Sequence, residues 1–168
     1  LENYFNQTEN IELFWKKIDS ISQIINVNIS TSHLFGWNTG LSFNHSYEIF
    51  NGFYTSKISR YKILTFLPYL NNVGIGYLKG ESKPSNKGII NGYKNINYIA
   101  FTVSSKMDNT NDRFLPTKGT ILNIEFDGGI EDEYNFVNYS VLTENFYTIS
   151  NLFYLKLKYL GKGIKYSK

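Results

Sequence analysis

The sequence feature that most constrains the fold is an alternation of apolar and polar residues on both sides of one turn. Residues 99–106 and 120–127 place apolar side chains at every second position, which is the period of a β-strand with two differently solvated faces. Between them, Pro116 fixes its own φ and donates no backbone hydrogen bond, and Gly119 can adopt a positive φ. Residues 108–119 are therefore predicted to form a tight turn between two strands.

The same alternation recurs along the chain from about residue 24 onward. Residues 41–49 alternate without a break, and Asn51-Gly52, which follows them, is a strong signal for a hairpin turn. The later alternating runs are also separated by turn-forming residues. The pattern predicts an all-β fold, an antiparallel meander of about eight strands.

Some segments are less regular. Residues 1–22 are undecided between helix and strand, and we favour a strand; residues 81–94 are polar and are predicted to form a longer loop. Residues 54–66 carry basic side chains on both faces of the predicted strand. Gly74 and Gly76 lie on one side of the next run, which leaves room for a curved backbone or for a group packed close against it.

The amino-acid composition favours β-strands and argues against a nucleic-acid partner. The chain holds 14 Tyr and 13 Phe against 1 Met and 3 Pro, a balance that is typical of strands. Its net charge of +3 comes from lysines scattered along the chain, which argues against a nucleic-acid partner. The length of 168 residues is that of one domain, and the start at Leu1 instead of Met favours a piece of a longer protein.

The strands require a cover for their apolar face, either a second sheet or lipid. No segment approaches the roughly 18 consecutive apolar residues of a spanning helix, whereas a strand of a membrane barrel needs only about 9–11 alternating residues. Aromatic residues recur near the strand ends, as at the two interfaces of a membrane barrel, but soluble β-proteins also end strands in this way. The pattern alone leaves a transmembrane barrel and a soluble sandwich as alternatives.

No residue pattern predicts catalysis, cofactor binding or a metal site. The chain has 2 His and no Cys, and it lacks a nucleophile elbow and a phosphate-binding glycine loop. His45 lies on the apolar side of its strand, where a structural role is the common one, and His33 is no nearer to a carboxylate cluster. Some acidic residues could be drawn as a cation site, but we interpret them as solvated loop charges because their spacing is not that of a calcium loop. They are Asp108, Asp112, Glu131, Asp132 and Glu133.

The turn also carries a motif, in which an Asp and an Asn precede an aliphatic-Pro-x-x-Gly step and an alternating strand. Its residues are Asp108, Asn111, Leu115, Pro116 and Gly119. On these residues the sequence resembles the outer-membrane β-barrel assembly family, which includes the bacterial BamA type and the barrel subunit of the mitochondrial sorting and assembly machinery. The next hairpin, with Gly128-Gly129 and an acidic loop, also fits, so the resemblance covers about residues 96–163.

The resemblance implies that residues 1–168 are part of a transmembrane β-barrel domain that folds β-barrel precursors and inserts them into an outer membrane. The implied partners are membrane lipid, unfolded precursor proteins and accessory subunits of an assembly complex, with no cofactor and no nucleic acid. The aliphatic-Pro form of the turn favours a mitochondrial over a bacterial outer membrane. The alternatives are a passive pore or polypeptide-exporting barrel, and a soluble β-sandwich binding module.

In such a barrel, the alternation would divide the side chains between lumen and lipid. The residues expected to face the lumen are Asn123, Glu125, Asn138, Ser140, Lys156 and Lys158. The residues expected to face lipid are Leu122, Ile124, Phe126, Phe153, Leu155 and Leu157.

The sequence departs from the family in two ways. Family members carry an Arg-Gly-aromatic loop beyond the last strand found here, whereas neither Arg60 nor Arg113 is followed by Gly. About eight strands are also only half of the family's sixteen-stranded barrel. We therefore expect an internal portion of a longer protein, which would supply barrel wall and not the place where the first and last strands meet.

Overall fold

The computed structural model describes residues 9–32, 34, 37–67, 72–112, 115–150 and 153–167. These residues form one antiparallel sheet and one short helix. The strands are β1 (Glu9–Lys17), β2 (Gln23–Thr31), β3 (Thr39–Phe50), β4 (Tyr54–Thr65), β5 (Asn72–Pro84), β6 (Ile96–Asp108), β7 (Gly119–Glu131), β8 (Tyr134–Ser150) and β9 (Phe153–Ser167), with α1 (Asn86–Ile90) between β5 and β6.

Each strand pairs with the next one in sequence, in the order β1-β2-β3-β4-β5-β6-β7-β8-β9. The prediction of an all-β antiparallel meander is confirmed, and the sheet has nine strands where about eight were expected. β1 accounts for the additional strand, so the strand that we favoured in residues 1–22 is present from Glu9. Among the described pairings, none joins β1 to β9, and the sheet is open.

The predicted loop over residues 81–94 is partly wrong. β5 continues to Pro84, with Glu81 paired to both Lys57 of β4 and Asn97 of β6. α1 follows, and Ser85 caps it by accepting a hydrogen bond from the Gly88 N–H at 3.1 Å. The polar composition suggested a loop because both faces of β5 carry polar side chains near its end.

Two of the turn predictions depended on residues that can adopt a positive φ, and the structure shows positive φ at these residues. Asn51 and Gly52 have φ of 48° and 65° between β3 and β4, and Gly119 has φ of 116° at the start of β7.

In the β1–β2 turn, Asp19 accepts hydrogen bonds at 2.7 Å from the Ile21 and Ser22 N–H groups. The Ile21 N–H is the main cause that holds the pKa of Asp19 below its usual range.

The register defines two faces of the sheet. Lys62, Gly76, Thr102, Asp127 and Asn138 pair in succession from β4 to β8 and therefore share one face, which we call the inner face. The buried strand residues all lie on it. They are Leu78, Ala100, Thr102, Asp127, Phe136 and Phe146, together with three glycines.

The sheet curves around the inner face. A single cavity of about 530 Å³ on this side contacts both Ser30 of β2 and Leu160 of β9. Glycines on the inner face of β3, β5 and β7 allow the curvature, because a Cβ at Gly40, Gly76 or Gly129 would lie 2.1, 1.8 or 2.0 Å from a carbonyl oxygen of the preceding strand. In the described part of the chain, no helix is long and apolar enough to cross a membrane.

Candidate functional site: a polar inner face and an apolar outer face

Two basic residues of β4 form ion pairs with two acidic residues of β7 on the inner face. Arg60 Nη2 lies 3.1 Å from Glu125 Oε1 and 3.2 Å from Asp127 Oδ2, and Lys62 Nζ lies 2.5 Å from Glu125 Oε2. Strands β5 and β6 separate these residues, so the side chains extend across two intervening strands. The cluster therefore joins parts of the sheet that share no backbone hydrogen bonds.

Small residues on β5 and β6 provide the space for this crossing. A Cβ at Gly74 would lie 2.7 Å from Ser104 Oγ and 2.9 Å from Leu64 Cδ2, so the absence of a side chain at Gly74 leaves room for these two side chains, and Lys62 Cδ lies 3.4 Å from the same position. Lys62 Nζ also donates a hydrogen bond to Ser104 Oγ at 3.1 Å. Of the two alternatives expected for the paired glycines, Gly74 thus leaves room for packed side chains, and Gly76 allows close approach to the backbone of β4.

Asp127 is the most deeply buried charge of the cluster. Its side chain is 3% exposed, and its Oδ2 accepts hydrogen bonds from Arg60 Nη2 and Asn138 Nδ2, each at 3.2 Å. Its Oδ1 has no protein hydrogen-bond partner among the described residues, and neither has Arg60 Nε. An unpaired buried carboxylate oxygen is costly, so the pairing of Oδ2 with Arg60 and Asn138 has to offset this cost.

Polar side chains continue along the inner face on both sides of the cluster. On the β1 side, Asn28 donates to Glu12 at 3.3 Å, and Asn44 donates to Asn28 at 3.1 Å. On the β9 side, Glu144 lies 3.0 Å from Lys156 Nζ and 3.2 Å from Lys158 Nζ. Polar side chains thus lie on the inner face from β1 to β9, interspersed with apolar ones such as Ile58, Leu64 and Leu142, and Leu78, Ala100 and Phe136 form an apolar cluster on the same face.

The opposite, outer face is apolar and exposed. Large side chains there remain accessible, such as Ile63 at 57% and Phe101 at 56%. A groove of about 670 Å³ crosses this face from β2 to β6. Its apolar and aromatic lining residues are Ile29, Leu41, Phe43, Tyr61, Ile63, Ile75, Tyr77 and Phe101.

The register assigns each set of predicted wall residues to one face. Asn123, Glu125, Asn138, Ser140, Lys156 and Lys158 lie on the inner face. Leu122, Ile124, Phe126, Phe153, Leu155 and Leu157 lie on the outer face. That these faces contact a lumen and lipid, respectively, stays a prediction.

The motif residues of the turn over residues 108–119 build its hydrogen bonds. Asp108 accepts from the N–H and hydroxyl of Thr110, at 3.1 and 2.7 Å. Asn111 Oδ1 accepts from the Thr117 and Lys118 N–H groups, at 3.0 and 2.9 Å. Gly119 has positive φ, Pro116 is half-buried, and Leu115 is 77% exposed; Arg113 and Phe114 lie outside the described residues.

Several of the residues considered for a metal site have other partners. His45 Nδ1 lies 2.9 Å from Ser59 Oγ, and Glu131 accepts a hydrogen bond from the Tyr166 hydroxyl at 3.0 Å. Asp132 Oδ1 accepts from the Asn97 N–H at 3.3 Å, and Asp112 accepts from the Leu115 N–H at 2.9 Å. No group of three or more His, Asp or Glu side chains within the described ranges could hold a metal ion. His33 lies outside those ranges.

Sequence reasoning did not find the Arg60–Lys62–Glu125–Asp127 cluster. The available signal was the basic side chains of residues 54–66 followed by Gly74 and Gly76, but the pattern does not show which acidic residues lie two strands further on.

Comparison of the chain with protein-family models, with curated proteins and with solved structures found no match. What the chain does must therefore be inferred from its two faces and from the turn.

Proposed function

We propose that this chain is part of the wall of a transmembrane β-barrel in an outer membrane. The observation that supports this most strongly is the distribution of side chains between the faces. The inner face holds partly buried ion pairs, whereas the outer face exposes large apolar and aromatic side chains. A membrane barrel has a hydrated polar lumen and an apolar outer surface, which is the same distribution.

The energetics of the two faces support the same proposal. An exposed apolar surface of this extent in water marks a membrane or a protein interface. Buried charges are tolerated when they are paired and hydrogen-bonded, and Arg60, Lys62, Glu125 and Asp127 balance each other in charge. From β3 to β7 the strands have 12 or 13 residues, more than the about 9–11 that a tilted strand needs to cross a bilayer.

We further propose that the barrel belongs to a β-barrel insertase. The support is the resemblance of the turn motif, whose residues Asp108 and Asn111 organise the backbone between β6 and β7. In this proposal the lumen side receives unfolded β-barrel precursors, with accessory subunits outside the membrane. The chain supplies wall and contributes no nucleotide or metal chemistry. A passive or polypeptide-exporting barrel would use the same wall.

Fractionation tests the membrane part of the proposal. The expressed chain is expected to sediment with membranes, to resist extraction at alkaline pH and to be released by detergent. Recovery of a soluble monomer without detergent would contradict both barrel functions and would favour a soluble binding module. In the latter case the outer face would be the surface that binds another protein.

Site-specific photo-crosslinking tests the insertase part. The crosslinker is placed at Asn123 on the inner face and, as a matched control, at the neighbouring Leu122 on the outer face. During synthesis of barrel precursors, Asn123 is expected to crosslink to precursor chains and Leu122 to lipid. Lipid crosslinks from Leu122 without precursor crosslinks from Asn123 would leave the barrel intact and contradict the insertase function.

A further inference from the structure

The outer face changes character along strands β3 to β5. His45, Ser59 and Lys79 pair in succession across these strands and form a polar row next to the apolar groove. The next row contains Lys57 and Glu81, and Lys83 follows on the same face. We call His45, Lys57, Lys79 and Lys83 the basic rim.

Three of the four side chains of the basic rim have specific contacts, namely His45, Lys57 and Lys83. The His45 ring stacks on Phe43 with a centroid distance of 6.3 Å and an interplanar angle of 12°. Lys57 Nζ lies 5.9 Å from the centre of the Tyr47 ring, a cation–π geometry. Lys83 Nζ lies 2.6 Å from Glu81 Oε1. The three lysines and one glutamate leave two uncompensated positive charges, and Lys57 and Lys79 are both exposed.

The groove begins directly beside this charge. Phe43, Tyr61 and Tyr77 line it, and each lies two residues before or after a residue of the polar row, a separation of about 7 Å along a strand. The volume of about 670 Å³ lies in the range of small-ligand sites. An apolar groove that ends near a positively charged rim is complementary to a molecule with a hydrocarbon chain and an anionic headgroup.

We propose that the outer face between β2 and β6 binds an anionic phospholipid. An acyl chain occupies the groove against Ile63, Ile75 and Phe101, and the phosphate contacts Lys57 and Lys79. The lysine stems lie along the apolar surface while their ammonium groups reach the headgroup level. This inference rests on the proposed function, because it requires the outer face to contact the bilayer.

Electron paramagnetic resonance of spin-labelled lipids tests the inference. The full chain is reconstituted in phosphatidylcholine vesicles, and the motionally restricted fractions of spin-labelled phosphatidylglycerol and phosphatidylcholine are compared. We expect a preference of about 25-fold for phosphatidylglycerol, since Lys57 and Lys79 each contribute about fivefold near the membrane surface. The variant Lys57→Gln/Lys79→Gln is expected to reduce the preference to less than about twofold.

The charge-matched control is Lys118→Gln/Lys165→Gln, which removes the same charge away from the groove. It is expected to keep the preference. Restricted lipid without a headgroup preference in the unmodified chain, or an equal loss in both double variants, would overturn the inference and leave the membrane barrel standing. Absence of any restricted lipid would instead contradict the proposed function itself.

Discussion

The two faces of the sheet differ in which side chains they bury and which they expose. On the inner face, Asp127 is nearly inaccessible and is bonded to Arg60 and Asn138, while on the outer face Ile63 and Phe101 are more than half exposed. A soluble β-protein with one buried face places its apolar side chains there. In the proposed barrel, lipid around the outer face, and not a core beneath it, would supply the apolar environment.

The difference also shows how nine strands can curve without a hydrophobic core. The buried apolar strand residues on the inner face are Leu78, Ala100, Phe136 and Phe146, which is a small set for a sheet of this size. Ion pairs between β4 and β7, and the close approach of neighbouring strands at glycines, supply part of the cohesion that a hydrophobic core would otherwise give. Stability should therefore respond differently to substitutions on the two faces.

The largest effect is expected from a charge placed on the outer face. Ile29→Lys lies in the apolar groove and should lower the free energy of unfolding from lipid vesicles by about 2–4 kcal/mol, since a lysine in contact with lipid must lose its hydration. Ser30→Lys, one residue further on the inner face, should cost less than about 1 kcal/mol. Urea titration followed by tryptophan fluorescence measures both. Equal costs would remove the distinction between the faces.

Loss of the buried carboxylate should have the next largest effect. Asp127→Ala leaves Arg60 with Glu125 alone and should cost about 2–3 kcal/mol, less than the removal of an only partner. Glu133→Ala, in the exposed β7–β8 turn, is the control and should change the free energy of unfolding by less than about 0.5 kcal/mol. A similar small change for both variants would show that the inner-face ion pairs do not hold the sheet together.

A glycine substitution tests the contribution of sheet curvature to stability separately from that of the ion pairs. A Cβ at Gly76 would lie 1.8 Å from the Tyr61 carbonyl oxygen, so Gly76→Ala must displace a strand and should cost about 1–3 kcal/mol. A Cβ at Gly128, on the outer face of β7, meets no atom within 4 Å, so Gly128→Ala should be neutral to within about 0.5 kcal/mol. If Gly76→Ala proved equally neutral in the same titration, the close approach of β4 and β5 would not be required.

The smallest effect is expected where the inner face is open to solvent. Lys158 is 56% exposed and shares Glu144 with Lys156, so Lys158→Gln should change the free energy of unfolding by less than about 0.5 kcal/mol. The effect should also vanish in high salt. A loss comparable to that of Asp127→Ala would mean that the whole inner face, and not only its β4–β7 part, depends on ion pairs.

Local pattern was sufficient to predict the strands and several turns, because period-two alternation and residues such as Gly119 act within a few positions. It was insufficient at residues 81–94, where polar side chains on both faces concealed the end of β5. It also could not find the contact between Lys62 and Glu125, which are 63 residues apart. That contact depends on strand order, register and curvature together, none of which is encoded near either residue.

The glycines of β3, β5 and β7 have a consequence for the order of assembly. Because Gly40, Gly76 and Gly129 each allow close approach to the preceding strand, the bend is set pair by pair as the meander forms. The curved sheet therefore does not need to close into a barrel to acquire its shape. In the proposed barrel, a strand that joined either edge would meet a template already bent in the required direction and would need only to add its hydrogen bonds.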